Sequence, residues 1–263
     1  LVRPADAAAR RMTAMRPCPW PLWIAHRGAG TLAPENTLAA FRLGASHGYT
    51  MFECDVKLSA DGVPFLLHDA TLERTTSGRG DAGSLPWAEL SRLDAGSWHS
   101  RGYAGEPIAS FESIATYCLA NGHALDIEIK PSPGRERDTG QTVAREAARR
   151  WAGRSVPPLL TSFEAEALEG ARTAAPALPR GLLIDSLFDG WFERAQQLGA
   201  VAVVANYRLY DEAMVDRLHR AGLWAMAYTV NDPTDARALL AIGLDGLCTD
   251  AVDRFAPSVT SLD

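Results

Sequence analysis

Residues 51–58 read Met-Phe-Glu-Cys-Asp-Val-Lys-Leu, and residues 124–130 read Ala-Leu-Asp-Ile-Glu-Ile-Lys. Both are extended apolar runs broken at alternate positions by charge. Residues two apart on a strand share a face, so Glu53 with Asp55, and Glu128 with Lys130, each aim into one space. Working outward, short apolar runs recur at 22–25, 158–162, 181–184, 201–205, 223–230 and 246–248. Helical patterns separate most of them, at 34–47, 111–121, 142–151, 164–174, 191–198, 211–221 and 233–242. Proline opens the first of these and glycine follows its end. Parallel strands need crossover helices. Eight β-α units in about 240 residues predict one closed (β/α)8 TIM barrel rather than an open doubly wound sheet.

Composition narrows the function. The chain has 263 residues, of which 47% are hydrophobic and 22% charged. That is globular and excludes disordered, collagen-like and coiled-coil classes. A net charge of -6 argues against a nucleic-acid partner. No apolar run approaches the roughly 18–20 residues of a membrane span, so no membrane insertion is expected. Cys18, Cys54, Cys118 and Cys248 are scattered without a C-x-x-C pair, which argues against disulfides and structural zinc and for a reducing compartment. Residues 1–19 carry Arg3, Arg10, Arg11 and Arg16 among alanines, with no apolar core of a secretory signal. They read as a poorly ordered tail before a barrel over 20–263, and a cytoplasmic location follows. One stretch, 69–110, is rich in Gly, Ser, Thr and Arg and too long for a βα loop. It reads as an inserted subdomain that shapes the mouth of a site and not its chemistry, with Trp87 and Trp98 as candidate anchors onto the barrel.

Barrel enzymes carry their chemistry at the C-terminal ends of strands. Those ends hold His26-Arg27-Gly28, Glu53-x-Asp55-x-Lys57, Asp126-x-Glu128-x-Lys130 and Tyr228-Thr229-Val230-Asn231. A polar residue at one strand end merely marks where a loop begins. Carboxylates, His and cations from several strands at one rim mark a site. Three carboxylates, Glu53, Asp55 and Glu128, repel one another unless neutralised, and all-oxygen ligands suit a hard cation, Mg²⁺ or Ca²⁺. His26 and His68 are candidates for acid–base work. Asp61-Gly62 signals a tight turn between 54–58 and 63–68. With those two residues at the tip, Asp55 faces His68. Gly28-x-Gly30-x-x-Ala33, with Glu53 20 residues on, mimics a dinucleotide fingerprint. The polar His26-Arg27 before it and the helix delayed by Pro34 argue against that reading.

The motifs His26-Arg27-Gly28, Pro34-Glu35-Asn36-Thr37, Glu53-x-Asp55-Val56, Leu67-His68-Asp69, Arg74-Thr75-Thr76, Leu93-Asp94-Ala95-Gly96-Ser97-Trp98, Ile127-Glu128-Ile129-Lys130, Tyr228-Thr229-Val230-Asn231 and Cys248-Thr249-Asp250 occur in this order. Together they resemble the glycerophosphodiester phosphodiesterases over residues 21–256, closest to the cytosolic bacterial enzymes. The resemblance implies a TIM barrel of the phospholipase-C-like type with a small insertion. It implies a divalent cation, Mg²⁺ or Ca²⁺, held by Glu53, Asp55 and Glu128, a catalytic pair His26 and His68, and substrate or phosphate binding by Arg27 and Lys130, with Tyr228 as an aromatic wall where the family has Trp. It implies hydrolysis of glycerophosphodiesters such as glycerophosphocholine or glycerophosphoethanolamine to sn-glycerol 3-phosphate and an alcohol. The 2-hydroxyl attacks within the substrate, His26 is the general base, His68 the acid, and water opens the cyclic phosphate with the roles exchanged. The expected partner is this small-molecule substrate, with a homodimer left open. Two alternatives stand beside this reading. One is a lysophospholipase D-type reaction, which needs an apolar surface that the polar insertion does not supply. The other is a non-catalytic phosphodiester-binding barrel, against which His26 and His68 argue.

Overall fold

The computed structural model describes residues 17–257. The expected poorly ordered tail lies outside the described residues except for positions 17–19. Strands β1 (Trp23–Ala25), β2 (Met51–Leu58), β4 (Ala124–Ile129), β5 (Leu159–Ser162), β6 (Arg180–Ile184), β7 (Ala202–Asn206), β8 (Trp224–Tyr228) and β9 (Gly246–Thr249) pair in parallel in the order β1-β9-β8-β7-β6-β5-β4-β2, and β2 returns to β1 to close the barrel. The short β3 (Pro64–Leu66) lies antiparallel on β2. The expected TIM barrel is therefore the fold. The closing seam is thin: β1 and β2 share one registered pair, Ala25 with Phe52, whereas β2 and β4 share six.

Period two sorts each strand. Ile24, Met51, Leu159, Leu183, Ala202, Val204, Met226 and Cys248 fill the barrel with Trp20. Alternate residues such as Trp23, Ala25, Phe52, Cys54 and Val56 pack outward against the helices. On β2 and β4 the inward positions run Met51, Glu53, Asp55 and Ala124, Asp126, Glu128 toward the C-terminal rim. The apolar plug thus gives way to carboxylates on two neighbouring strands, and their register sets Glu53 beside Asp126 and Asp55 beside Glu128.

The helices are α1 (Leu38–Ser46), α2 (Trp87–Leu90), α3 (Phe111–Asn121), α4 (Glu136–Arg150), α5 (Ala165–Ala174), α6 (Trp191–Gln197), α7 (Glu212–Arg220) and α8 (Pro233–Ala241). Ser110 and Asp211 cap α3 and α7 by accepting bonds from Ser113 N and Met214 N, as N-cap side chains do. α1 starts four residues later than the expected 34. Asn36 sits at φ 61°, a left-handed conformation no helix contains, and Thr37 caps instead. α4 starts six residues earlier than expected, because its glycine is a packing device and not a breaker. A Cβ on Gly140 would lie 1.9 Å from Ala167 O, and one on Gly170 would lie 2.4 Å from Arg137 O. The two glycines let α4 and α5 press backbone to backbone.

The β2–β3 hairpin corrects the expected register. Val56 pairs with Leu66 and Lys57 with Phe65, and Leu67 N donates to Asp55 O at 3.1 Å. Asp55 therefore faces Leu67, not His68. Ser59 N donates to Val63 O, so three residues, not two, form the tip, with Gly62 left-handed at φ 81°. That is the three-residue turn with a glycine bulge. Within 69–110, Leu72, Ala82, Leu90, Ala95 and Ile108 pack on Phe65 and Leu67 as a small separate core. Trp87 approaches Phe65, but Trp98 is 41% exposed and anchors nothing deep.

Gly140→Ala tests the helix crossing. Alanine gains about 1 kcal/mol in helix propensity, whereas overpacking against backbone costs about 1–3 kcal/mol or more. A net loss of about 1–2 kcal/mol is expected in the urea midpoint at unchanged m-value. A stabilised variant would show that the helices are not in backbone contact.

Candidate active site

The polar groups converge at the C-terminal mouth. His26, Arg27, Glu53, His68, Glu128, Lys130 and Tyr228 line one cavity of about 210 Å³. Asp55, fully buried, lies behind it. The structure thus brings together all eight residues singled out from sequence, His68 included, despite the shifted hairpin register. His68 lies past the end of β3 and reaches the rim from the returning chain.

Glu53, Asp55 and Glu128 each present a carboxylate oxygen within 4.8 Å of the others, a group able to hold a metal ion. Glu53 Oε1 and Asp55 Oδ1 are buried without a hydrogen-bond partner. Buried carboxylate oxygens without a hydrogen-bond partner are costly, and in a three-carboxylate group this compact they fit a hard cation. The protein supplies only part of the neutralisation. Arg27 N donates to Glu53 Oε2 at 3.0 Å, Arg27 Nε lies 3.2 Å from Asp55 Oδ2, and Lys130 Nζ donates to Glu128 Oε1 at 2.9 Å. Asn36, in left-handed backbone, donates from Nδ2 to Asp55 Oδ2 at 2.8 Å and accepts at Oδ1 from Asp55 N at 3.1 Å. Burial, then Asp55 and Glu128, push Glu53 well above the ordinary carboxylate range. Burial also lifts Glu128 to about 7 and Asp126 to about 7. For Asp55, burial is outweighed by Arg27, Lys130, His68 and the Asn36 amide, and its pKa ends below the ordinary value.

Each imidazole has a carboxylate behind it. His26 Nδ1 lies 2.6 Å from Asp250 Oδ1, and Asn231 holds Asp250 through Oδ2 at 3.2 Å and through its backbone N–H at 2.8 Å. His68 Nδ1 lies 2.7 Å from Asp69 Oδ1. A carboxylate on Nδ1 fixes the ring and leaves Nε2 for the substrate. Burial lowers the pKa of His68, with Asp55 and Asp69 opposing and Arg27 and Lys130 assisting. Gly30 makes room for this support, since a Cβ there would lie 2.0 Å from Asp250 O. The glycine pattern that mimics a dinucleotide site serves this close approach.

Sequence reasoning left Asp250, Asn231, Asp69, Glu35 and Arg74 without roles. Asp250 follows β9 directly, so the strand-end filter applied to the eighth strand finds it. Glu35 and Arg74 have no such signal: they meet from 39 residues apart, with Arg74 Nη1 and Nη2 each donating to a Glu35 oxygen at 2.8 Å. Tyr228 Oη donates to Ile184 O at 3.0 Å, and its ring packs edge-on to Phe163 at 5.9 Å. Among the described residues no helix is long and apolar enough to cross a membrane.

A barrel with paired histidines, two cations and a metal-ready carboxylate cluster defines a class of phosphate-ester hydrolases. Residues 26–254 match the glycerophosphoryl diester phosphodiesterase family, and the chain belongs to that family. The Bacillus subtilis protein YhdW is 34% identical over 88% of this chain and 94% of its own length. The glycerophosphodiester phosphodiesterase of Caldanaerobacter subterraneus is 29% identical over 87% and 93%. Among solved structures, an Oleispira antarctica phosphodiesterase in complex with the product sn-glycerol-3-phosphate superposes with a TM-score of 0.83 at 34% identity, covering 89% of this chain and 95% of that one.

The raised carboxyl groups predict a pH signature in metal-free protein. Glu128 and Asp126 keep their protons to about 7 when folded, against ordinary values of 4.5 and 3.8. In that window the folded state binds more protons than the unfolded one, so stability falls as pH rises from about 4.5 to about 7. With chelator present, the melting temperature is expected to fall across this window, and less steeply in Glu128→Gln. Equal slopes for the two proteins would refute the assignment.

Proposed function

We propose that this chain hydrolyses glycerophosphodiesters to sn-glycerol 3-phosphate and an alcohol. The observation that carries the reading is the meeting, in one cavity, of two carboxylate-backed histidines, Arg27, Lys130 and the three-carboxylate cluster. Glycerophosphocholine and glycerophosphoethanolamine are the substrates on which we base it. The product named for the Oleispira structure supports the same substrate class.

Arg27 and Lys130 bring positive charge to the phosphate, Arg27 through a planar fork and Lys130 as a point charge. Glu53, Asp55 and Glu128 would hold Mg²⁺ or Ca²⁺, which when bound neutralises phosphate charge and acidifies a nearby hydroxyl. His26 takes the proton of the glycerol 2-hydroxyl as it attacks phosphorus, with Asp250 stabilising the imidazolium that results. His68 protonates the departing alkoxide, and the charge of the bound phosphodiester opposes the burial that lowers its pKa. Water then opens the cyclic phosphate with the two roles exchanged. Internal attack gains from proximity, about 7–11 kcal/mol in well-oriented cases.

Chelated protein is expected to lose hydrolysis of glycerophosphocholine and to regain it with Mg²⁺ or Ca²⁺; full activity in excess chelator would end the metal assignment. His26→Ala and His68→Ala should each lose roughly 10²–10⁴-fold in kcat. A substrate with a good leaving group should partly rescue His68→Ala alone. Rescue of His26→Ala instead would reverse the roles.

One observation favours the lysophospholipase D-type reading as a second choice. The apolar surface that the insertion lacks is present elsewhere. Phe163 after β5, and Leu187 and Phe188 after β6, are 41%, 52% and 48% exposed, and Phe163 also lines the catalytic cavity. We expect kcat/KM to be higher for glycerophosphocholine than for lysophosphatidylcholine, with Phe188→Ser lowering only the latter. The opposite ranking would make the second reading the correct one, and no turnover of either would leave a binding barrel.

A further inference from the structure

Arg74 belongs to the insertion, yet it binds two carboxylates that touch site residues. Its Nη1 and Nη2 donate to the two oxygens of Glu35 at 2.8 Å each. Its Nε and Nη2 donate to the two oxygens of Asp69 at 2.6 and 2.9 Å. Both carboxylates have a second partner at the site: Glu35 Oε1 accepts from Arg27 Nη1 at 2.8 Å, and Asp69 Oδ1 meets His68 Nδ1 at 2.7 Å. One guanidinium therefore joins Arg27, two residues past β1, to the imidazole of His68, two residues past β3, through one carboxylate each. Arg74 itself does not line the cavity.

We infer that Arg74 is a positioning residue, which orients Arg27 through Glu35 and His68 through Asp69. The inference rests on the roles of Arg27 and His68 proposed above. Its side chain is 44% exposed, and exposed ion pairs add little to stability. What two bidentate forks do supply is direction, because each fork fixes the plane of its carboxylate. Remove the guanidinium and Glu35 holds Arg27 alone, competing with the phosphate for it, while the Asp69 carboxylate turns freely behind His68. Lysine cannot replace the fork, having no planar pair of donors. On this inference the insertion takes part in building the catalytic geometry as well as in shaping the mouth.

The test uses the metal-loaded protein and glycerophosphocholine. Arg74→Ala and Arg74→Gln should lower kcat roughly 10–100-fold, the scale of a misplaced catalytic group, with melting temperatures within a few degrees of the parent. Millimolar guanidinium should restore much of the activity of Arg74→Ala, more than Arg74→Lys does. The double variant Arg74→Ala/Glu35→Gln should lose less than the product of the single losses. Unchanged kcat in Arg74→Ala beside an inactive His68→Ala overturns the inference and leaves the proposed function standing. Loss of activity with a collapsed melting temperature in both variants, and no guanidinium rescue, makes Arg74 structural and also overturns it. A fully active His68→Ala refutes the proposed function itself.

Discussion

Mutual repulsion among carboxylates is the constraint around which this barrel mouth is organised. Adjacent strands β2 and β4 set Glu53, Asp55, Asp126 and Glu128 on one inward face, in a region almost without solvent. Such a cluster persists only if protons, cations or hydrogen bonds compensate it. The protein uses all three. Asp55 is ionised by Arg27, Lys130 and Asn36, Asp126 is lifted toward neutrality and bonded by Thr161 Oγ1 at 2.8 Å, and Glu53 keeps an oxygen without a hydrogen-bond partner. The compensation is uneven by construction. It leaves a compact cluster able to hold a metal ion.

Several elements beyond the catalytic rim make sense only as service to that centre. Arg27 and Asn36 both sit in left-handed backbone, at φ 51° and 61°, a conformation that costs free energy for residues with a side chain. Each uses it to contact Asp55. The delay of α1 to Leu38 follows from the same requirement. A turn that places Asn36 against Asp55 cannot also be the first turn of a helix.

Much of this was legible in the sequence, and the reason is period. The eight apolar runs and the helices between them follow from alternation, and the site residues other than His68 follow from reading strand ends. What period cannot supply is register and long-range pairing. The hairpin tip has three residues because Gly62 adopts a left-handed bulge, and Asp-Gly is compatible with that turn and with a two-residue one. The first turns of α4 lie before the expected 142, and the fit of Gly140 there depends on Ala167, which only the folded chain brings against it. Asp69 stood next to His68 in the chain, yet nothing local says that its carboxylate turns back onto the ring. Glu35 and Arg74 are joined only by the folded chain.

The seam between β1 and β2 has a last consequence. One registered pair is a weak closure for a barrel, and the gap is bridged by functional groups: Arg27 N on Glu53, Arg27 Nε beside Asp55, and the Asn36 amide on Asp55. The groups that contact the carboxylate cluster are thus the ones that bridge the closing seam. Along this line evolution could not loosen the chemistry without opening the wall, nor tighten the wall without displacing the chemistry. A barrel whose last stitch is sewn with its own active site carries selection for folding and for turnover on the same few side chains.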